Sequence, residues 1–437
     1  MSGNLKNVKH TSSLSASFQD LDKALREQEA LRDLQHPCIV KCRGFATDAH
    51  FIYVALEPFV EIRPPGQKTR SLTLRSLVKQ GTVPDRPAGS GGGGGVQDVP
   101  RSNSMDLAAK KSILRQITRG LAFLHEGKED ANRALGDLLH RDIKPLNVLV
   151  RADGSGGYIA KLSDLGLIKE VDASSSGGGA AAASTMAGGT PGWQAPEVFV
   201  SGGASGVHTK GTDMFSLGLV YYYVLSDGAH ILGANIAQRN MGLMQMVMQK
   251  SAEHLRPKLE KMAATNAEAA DLVESMLAAD SQQRLRAAAA LQHPFFWSAE
   301  SRFAFLCACG RQLERVSGRE DAVLQENGRR AAATWPGGRW GVHRDLMAEK
   351  RLRRDYDQTK VSELLRLIRN THEHFKSLHP TVKSALGLRA GETAAGYFLA
   401  RFPLLVLCTW RAVAALAAGG GGDAVAWGRV LSKHGGK

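Results

Sequence analysis

The stretch His140-Arg141-Asp142-Ile143-Lys144-Pro145-Leu146-Asn147 decides how this chain is read. It places a carboxylate, an ammonium and a carboxamide within one short, proline-containing segment. Two short runs follow it, NVLV (147–150) and YIAKLSD (158–164), which read as strands flanking a Gly turn. SILRQITRGLAFLHE (112–126) precedes it, with the period of a buried helix. Asp164 opens Asp164-Leu165-Gly166, seventeen residues after Asn147. Further upstream, FIYVAL (51–56) is β-branched and aromatic and reads as a strand. LDKALREQEALRDLQ (21–35) repeats Leu21, Leu25, Leu31 and Leu34 along a charged helix. From about 205 onward the pattern is nearly all helical. A small mixed segment followed by a helical body predicts an α+β class with two lobes.

The 437 residues allow two or three domains at roughly 100–200 residues each. A hydrophobic share of 43% and a charged share of 22% exclude wholesale disorder, a collagen and a coiled rod. Lys and Arg number 56 against 42 acids, a formal net charge of +14. That balance suits an anionic partner (nucleic acid, nucleotide or acidic membrane surface) without choosing among them, and it also serves plain solubility. Five cysteines, Cys38, Cys42, Cys307, Cys309 and Cys408, form no CxxC pair, so neither a disulfide framework nor a structural zinc is expected. The first thirteen residues lack the apolar region of a signal peptide. The most apolar segment, 397–418, is interrupted by Arg401, Pro403 and Arg411, so no membrane anchor is expected within the chain. Low-complexity stretches at 81–104, at 172–189 and from 419 onward are expected to be flexible inserts and a tail. The glycine run 91–95 follows no strand pattern and is not a phosphate cradle.

The 140–147 segment resembles the catalytic loop of protein kinases, H-R-D-x-x-x-x-N. The resemblance implies Asp142 as the acceptor of the substrate hydroxyl proton and Lys144 as the cation near the transferring phosphate. Lysine at that place implies serine or threonine as acceptor. Asn147 and Asp164 would hold Mg²⁺. Asp164-Leu165-Gly166 resembles the DFG motif with Leu for Phe, and Ala195-Pro196-Glu197 resembles APE. Asp213 matches the buried aspartate of the large lobe, and Arg284 is expected to pair with Glu197. In the small lobe Glu27 sits nine residues before His36-Pro37, the place of the αC glutamate. Its lysine partner is expected to be Lys9, which reads equally as a solvated terminal lysine. The Gly-rich loop and two strands that precede this lysine in kinases have no counterpart, so the small lobe is expected to be N-terminally incomplete, through truncation or with weakened nucleotide binding. Leu56 would be the gatekeeper, and backbone near Glu57 and Phe59 would hold the adenine of ATP or ADP. Ser174, Ser175, Ser176, Ser184 and Thr185 are phosphoacceptors of the activation segment or parts of a plain spacer.

A kinase domain ends near LQHPFFW (291–297), and about 140 residues remain. Tyr356 is followed after twelve residues by Arg369-Asn370, and four later by His374. RNA self-cleavage needs a base for the 2′-OH, an acid for the 5′-oxygen and a cation for the developing charge; side chains can supply all three without metal. His374 carries an imidazole, which titrates near neutrality and serves as acid or base. Tyr356 orients the phosphate or shares the proton transfer, Arg369 brings a fixed cationic fork, and Asn370 holds the phosphate or ribose. On a helix, Asn370 and His374 share a face. From Arg339 to Arg369 nine Lys/Arg stand against five acids, which suits a phosphate backbone. His372, His374 and His379 are poorly spaced for a metal on one helix face.

With GTPGWQAPE (189–197), HPFFW, RFP (401–403) and TWRA added, the chain resembles the inositol-requiring kinase/endoribonucleases of the unfolded protein response, and more distantly RNase L. The resemblance implies a kinase domain over 1–297, an all-α KEN ribonuclease domain over 298–415 and a flexible tail over 416–437. It further implies an RNA stem-loop as substrate, cleavage to a 2′,3′-cyclic phosphate with no cofactor for that step, and a back-to-back homodimer or higher oligomer favoured by nucleotide and autophosphorylation. Location would be the cytosolic face of the endoplasmic reticulum if a transmembrane segment precedes the chain, and otherwise the cytoplasm. Two alternatives stay open: a kinase whose C-terminal helices only dock partners, and a pseudokinase scaffold with a working ribonuclease.

Overall fold

The computed structural model describes residues 8–11, 34–47, 52–59, 72–80, 105–126, 138–164, 169–170, 189–202, 207–314, 318–332, 342, 344–349, 356–387, 393–419 and 422–434. Glu27 and most of the 21–35 segment, Leu165, Gly166, the five activation-segment hydroxyl residues, Arg351, Arg353 and Arg354 lie outside these residues, as do nearly all of the 81–104 and 172–189 inserts. The chain divides into two compact units, Met1–Ala290 and Leu291–Lys437.

In the first unit, β1 (Val8–Thr11), β2 (Cys42–Thr47) and β3 (Ile52–Leu56) form an antiparallel sheet in the order β1-β3-β2. The β-branched and aromatic 52–56 run takes the centre, where both backbone edges are paired. Lys9 stands opposite Val54 in this register; its side chain is outside the described set. A second sheet, in the order β4-β6-β7, is built from β4 (Leu72–Thr73), β6 (Val148–Ala152) and β7 (Tyr158–Leu162). The β6–β7 turn is closed by Asp153 Oδ1, which accepts from the Ser155 and Gly157 N–H groups at 2.8 and 2.9 Å. β5 (Leu138–Leu139) pairs with β8 (Lys169–Glu170).

Helix α1 (Leu74–Gln80) follows β4, and α2 (Leu107–His125) starts at Asp106, whose carboxylate accepts the Ala109 N–H at 2.7 Å. Ile113, Leu114, Ile117, Leu121 and Leu124 bury one side of α2. Gly120 lets it approach the backbone, since a Cβ there would stand 2.9 Å from the Cys38 carbonyl oxygen. Next come α3 (Pro196–Val200), α4 (Lys210–Leu225), α5 (Ile236–Gln249), α6 (Arg256–Ala263), α7 (Ala267–Met276) and α8 (Ala287–Leu291). Every residue of α4 from Thr212 to Val224 is buried, which makes it the central helix of its lobe.

The described part of the second unit is helical: α9 (Ala299–Gln312), α10 (Gly318–Ala332), α11 (Arg344–Met347), α12 (Val361–Glu373), α13 (Pro380–Ala385), α14 (Ala394–Arg401), α15 (Leu405–Ala418) and α16 (Gly422–His434). α9 packs against α12. Gly310 permits this contact, because a Cβ would stand 2.5 Å from the Leu365 carbonyl oxygen. Phe305, Leu364, Leu365, Ile368, Phe398 and Phe402 join one core.

One expectation is corrected. The 416–437 segment is not simply a flexible tail: residues 422–434 form α16, and Trp427 is 0% exposed within the core. A fully buried indole offsets the ordering entropy of its glycine-rich surroundings. Among the described residues no single helix is long and apolar enough to cross a membrane; α14 and α15 pass together but meet at 84°. All five cysteines are free and buried, and burial pushes the Cys307 thiol up to about 12.

Candidate active sites

The 140–147 loop is held from below by one buried carboxylate. Asp213, in the first turn of α4, accepts the His140 and Arg141 N–H groups at 2.8 Å each and contacts His125 Nε2 at 3.0 Å. Burial pushes the Asp213 carboxyl up, but the hydrogen bond and charge of His125 and the contact with His140 bring it below its usual value. Arg141 and Asp164 both adopt the left-handed conformation, with φ of 67° and 65°. Non-glycine residues enter that region at a cost of about 1 kcal/mol, and such strain clusters where geometry is fixed for function.

Asp142 is 9% exposed and enclosed by donors. Lys144 Nζ reaches its Oδ2 at 2.5 Å, and Asn147 Nδ2 donates to the same oxygen at 2.8 Å and to the Asp142 carbonyl at 2.9 Å. Thr190 donates to Oδ1 through its hydroxyl at 2.7 Å and its N–H at 3.1 Å, and its hydroxyl also accepts from Lys144. Burial would raise the Asp142 carboxyl, but the Lys144 and Thr190 hydrogen bonds, the Lys144 charge and the Asn147 amide together hold it below the ordinary carboxylate range. A carboxylate held ionised among donors can orient a hydroxyl and accept its proton. Sequence reasoning missed Thr190, although it stands in the quoted GTPGWQAPE segment.

The residues fit a hard cation. Asn147 spends its amide nitrogen on Asp142, which leaves the amide oxygen as its ligand atom; Ser163 anchors the Asn147 carbonyl at 2.8 and 2.9 Å, one residue before Asp164. Leu56 ends β3, and the Glu57 N–H bonds the Lys41 carbonyl at 2.9 Å. Phe59 is buried. Arg284 and Glu197 form the expected pair, bidentate at 2.6 and 2.9 Å.

In the second unit, the Asn370 amide donates to the Tyr356 hydroxyl at 2.6 Å. His374 caps α12, its N–H bonded to the Asn370 carbonyl at 3.0 Å, and its side chain is exposed. Arg369, whose guanidinium reads from sequence as a fixed cationic fork, is enclosed and paired. It is 7% exposed, pairs with the Glu314 carboxylate and lies 3.9 Å from Glu373. Glu373 in turn lies 3.6 Å from Arg311. Those acids order the guanidinium, and its buried Nε has no hydrogen-bond partner. His372 packs edge-on against Phe303 at 5.3 Å, and His379 Nδ1 contacts the Thr381 hydroxyl at 2.7 Å. Among the described residues no three His, Cys, Asp or Glu side chains gather as metal ligands.

Fold and loop geometry together define a protein kinase, and the chain belongs to that family: it matches the protein kinase domain over residues 2–296. Residues 302–419 match the ribonuclease 2-5A family. The chain is similar to the serine/threonine-protein kinase/endoribonuclease ire-1 of Caenorhabditis elegans, 31% identical over 89% of this chain and 35% of that protein. It is 33% identical to the human serine/threonine-protein kinase/endoribonuclease IRE2, over 69% of this chain and 30% of the relative. The sensor for unfolded proteins in the ER of Schizosaccharomyces pombe is 29% identical over 70% of this chain and 28% of that protein. The chain spans about a third of the length of the curated relatives it matches.

Proposed function

We propose that this chain is the kinase and endoribonuclease portion of an unfolded-protein-response sensor. It phosphorylates serine or threonine and cuts stem-loop RNA without metal. The observation that carries the ribonuclease half is the Tyr356–Asn370 hydrogen bond one turn before the exposed His374, in a helical unit following a kinase domain.

In the kinase half, Asp142 orients the acceptor hydroxyl and takes its proton. Lys144, held beside it, faces the transferring phosphate. Asn147 and Asp164 would hold Mg²⁺, which when bound neutralises charge on the phosphates of ATP. Lys9, Glu27, Leu56 and the backbone of Glu57 and Phe59 make up the nucleotide cleft.

In the ribonuclease half, the RNA 2′-oxygen bonds to phosphorus as its proton leaves, and the bond from phosphorus to the 5′-oxygen breaks as that oxygen is protonated. The products are a 2′,3′-cyclic phosphate and a 5′-hydroxyl. His374 carries a proton at this centre, Tyr356 and Asn370 fix the phosphate, and Arg369 supplies the positive charge. A homodimer, favoured by nucleotide and by phosphorylation in trans, would assemble the sites. The place of action would be the cytosolic face of the endoplasmic reticulum. Incubation of a 3′-labelled and a 5′-labelled stem-loop with the chain in EDTA tests the chemistry. A 2′,3′-cyclic phosphate end supports it, and a 3′-hydroxyl end contradicts it.

A further inference from the structure

We propose that Lys161, together with Glu57, is a positioning element of the nucleotide site, locking the adenine-facing hinge to the strand that presents Asp164. The inference deepens the nucleotide-binding reading above and rests on it.

One oxygen of Glu57, Oε1, accepts both the Lys41 N–H, at 2.9 Å, and the Lys161 ammonium. The same ammonium lies 5.7 Å from the centroid of the Phe59 ring, and the Arg151 guanidinium lies 5.3 Å from that ring. Lys161 thus grips both hinge residues that flank the adenine position, one through charge and one through a ring face.

Lys161 belongs to β7, three residues before Asp164. The residues between are fixed in their own right. The Val40 N–H bonds the Leu162 carbonyl and the Leu162 N–H bonds the Cys38 carbonyl, both at 2.8 Å. Ser163 anchors Asn147. A nucleotide is held at two ends, its base at the hinge and its phosphates near Asn147 and Asp164, and the distance between those ends must match the ligand. Among the described residues, Lys161 ties one end to the other.

The pair is not needed to fold the hinge. The Glu57 N–H already bonds the Lys41 carbonyl, and β3 is paired on both edges. At 15% and 18% side-chain exposure the two charges are screened less than a surface pair. A lysine in a strand reads from sequence as solvent-facing, and nothing in the spacing couples it to residue 57.

The test is calorimetric titration of Mg·ADP and of adenosine into the chain and its variants. Adenosine engages the hinge alone, whereas Mg·ADP engages both ends. Lys161→Met is expected to weaken Mg·ADP about tenfold, the worth of one charge-assisted hydrogen bond. Adenosine should change by less than about twofold, and Lys161→Arg should restore Mg·ADP binding. Glu57→Gln keeps an oxygen for Lys41 and gives the same selective loss if Lys161→Met fails to fold. Unchanged Mg·ADP affinity in both variants, or equal weakening of both ligands with a lowered Tm, overturns the inference. A wild-type chain that binds neither ligand overturns the nucleotide-binding reading itself, and the inference with it.

Discussion

The Asn370 amide donates to the Tyr356 hydroxyl at 2.6 Å, joining the loop before α12 to its last turn. The bond spans fourteen residues of sequence and sets the tyrosine oxygen beside the turn that ends at His374. Tyr356→Phe removes that oxygen and keeps the ring. Stability should fall by about 1 kcal/mol. Under the proposed role of this hydroxyl at the phosphate, RNA cleavage should fall roughly tenfold to a hundredfold. Urea denaturation and single-turnover cleavage measure the two effects separately. Equal cleavage rates in wild type and Tyr356→Phe would remove the tyrosine from the site.

Thr190 donates twice to Asp142 and accepts from Lys144. Thr190→Ala should lower kcat for peptide phosphorylation about tenfold by loosening both groups, and Thr190→Ser should recover most of it. Initial rates at saturating ATP provide the comparison.

The Asp142 carboxyl stands below its ordinary range, so it is ionised throughout the working range of a kinase. Its folded value is depressed relative to the unfolded chain. The stability it contributes is present above the unfolded value and is lost as pH falls through the folded one. The rate of phosphotransfer should therefore show no acidic limb from this group between about pH 5 and 8. A kcat profile with a protonation step near pH 6 assigned to Asp142 would contradict the arrangement of donors around it.

Trp427 is fully buried, in a helix that follows a glycine-rich stretch of sequence. Trp427→Ala should cost about 3–5 kcal/mol through lost burial and the cavity left behind. The same change in a truly flexible tail would cost almost nothing, so urea denaturation distinguishes the two.

Arg284 is fully buried as a side chain and bidentate to Glu197. Glu197→Ala leaves that guanidinium without its countercharge, although the Gly211, Ala278 and Ala279 carbonyls still accept from it. A loss of about 3 kcal/mol is expected in chemical denaturation.

The kinase loop was legible because its residues lie within eight positions and their chemistry is dense. The Arg284–Glu197 pair was legible from motif positions alone. The pairing of Arg369 with Glu314, 55 residues away, leaves no local mark in the sequence. Lys161 was silent for the same reason, its partner lying 104 residues off. The 422–434 helix was misread because composition near 419 reports local entropy, while Trp427 is ordered by tertiary burial that no local window contains. Lys9 reads from sequence equally as a nucleotide lysine or a solvated terminal one; the strand Val8–Thr11 that carries it pairs along the edge of β3 that β2 leaves open.

The proposed function joins, in one chain, a kinase and a metal-independent ribonuclease centred on His374. The most direct measurement is cleavage of a labelled RNA stem-loop in excess EDTA by the wild-type chain and by His374→Ala, with peptide phosphorylation in Mg·ATP as the folding control. The account predicts cleavage by wild type, a loss of about a thousandfold or more in His374→Ala, and phosphorylation retained by both. Equal cleavage by the two proteins, with phosphorylation intact, would contradict it.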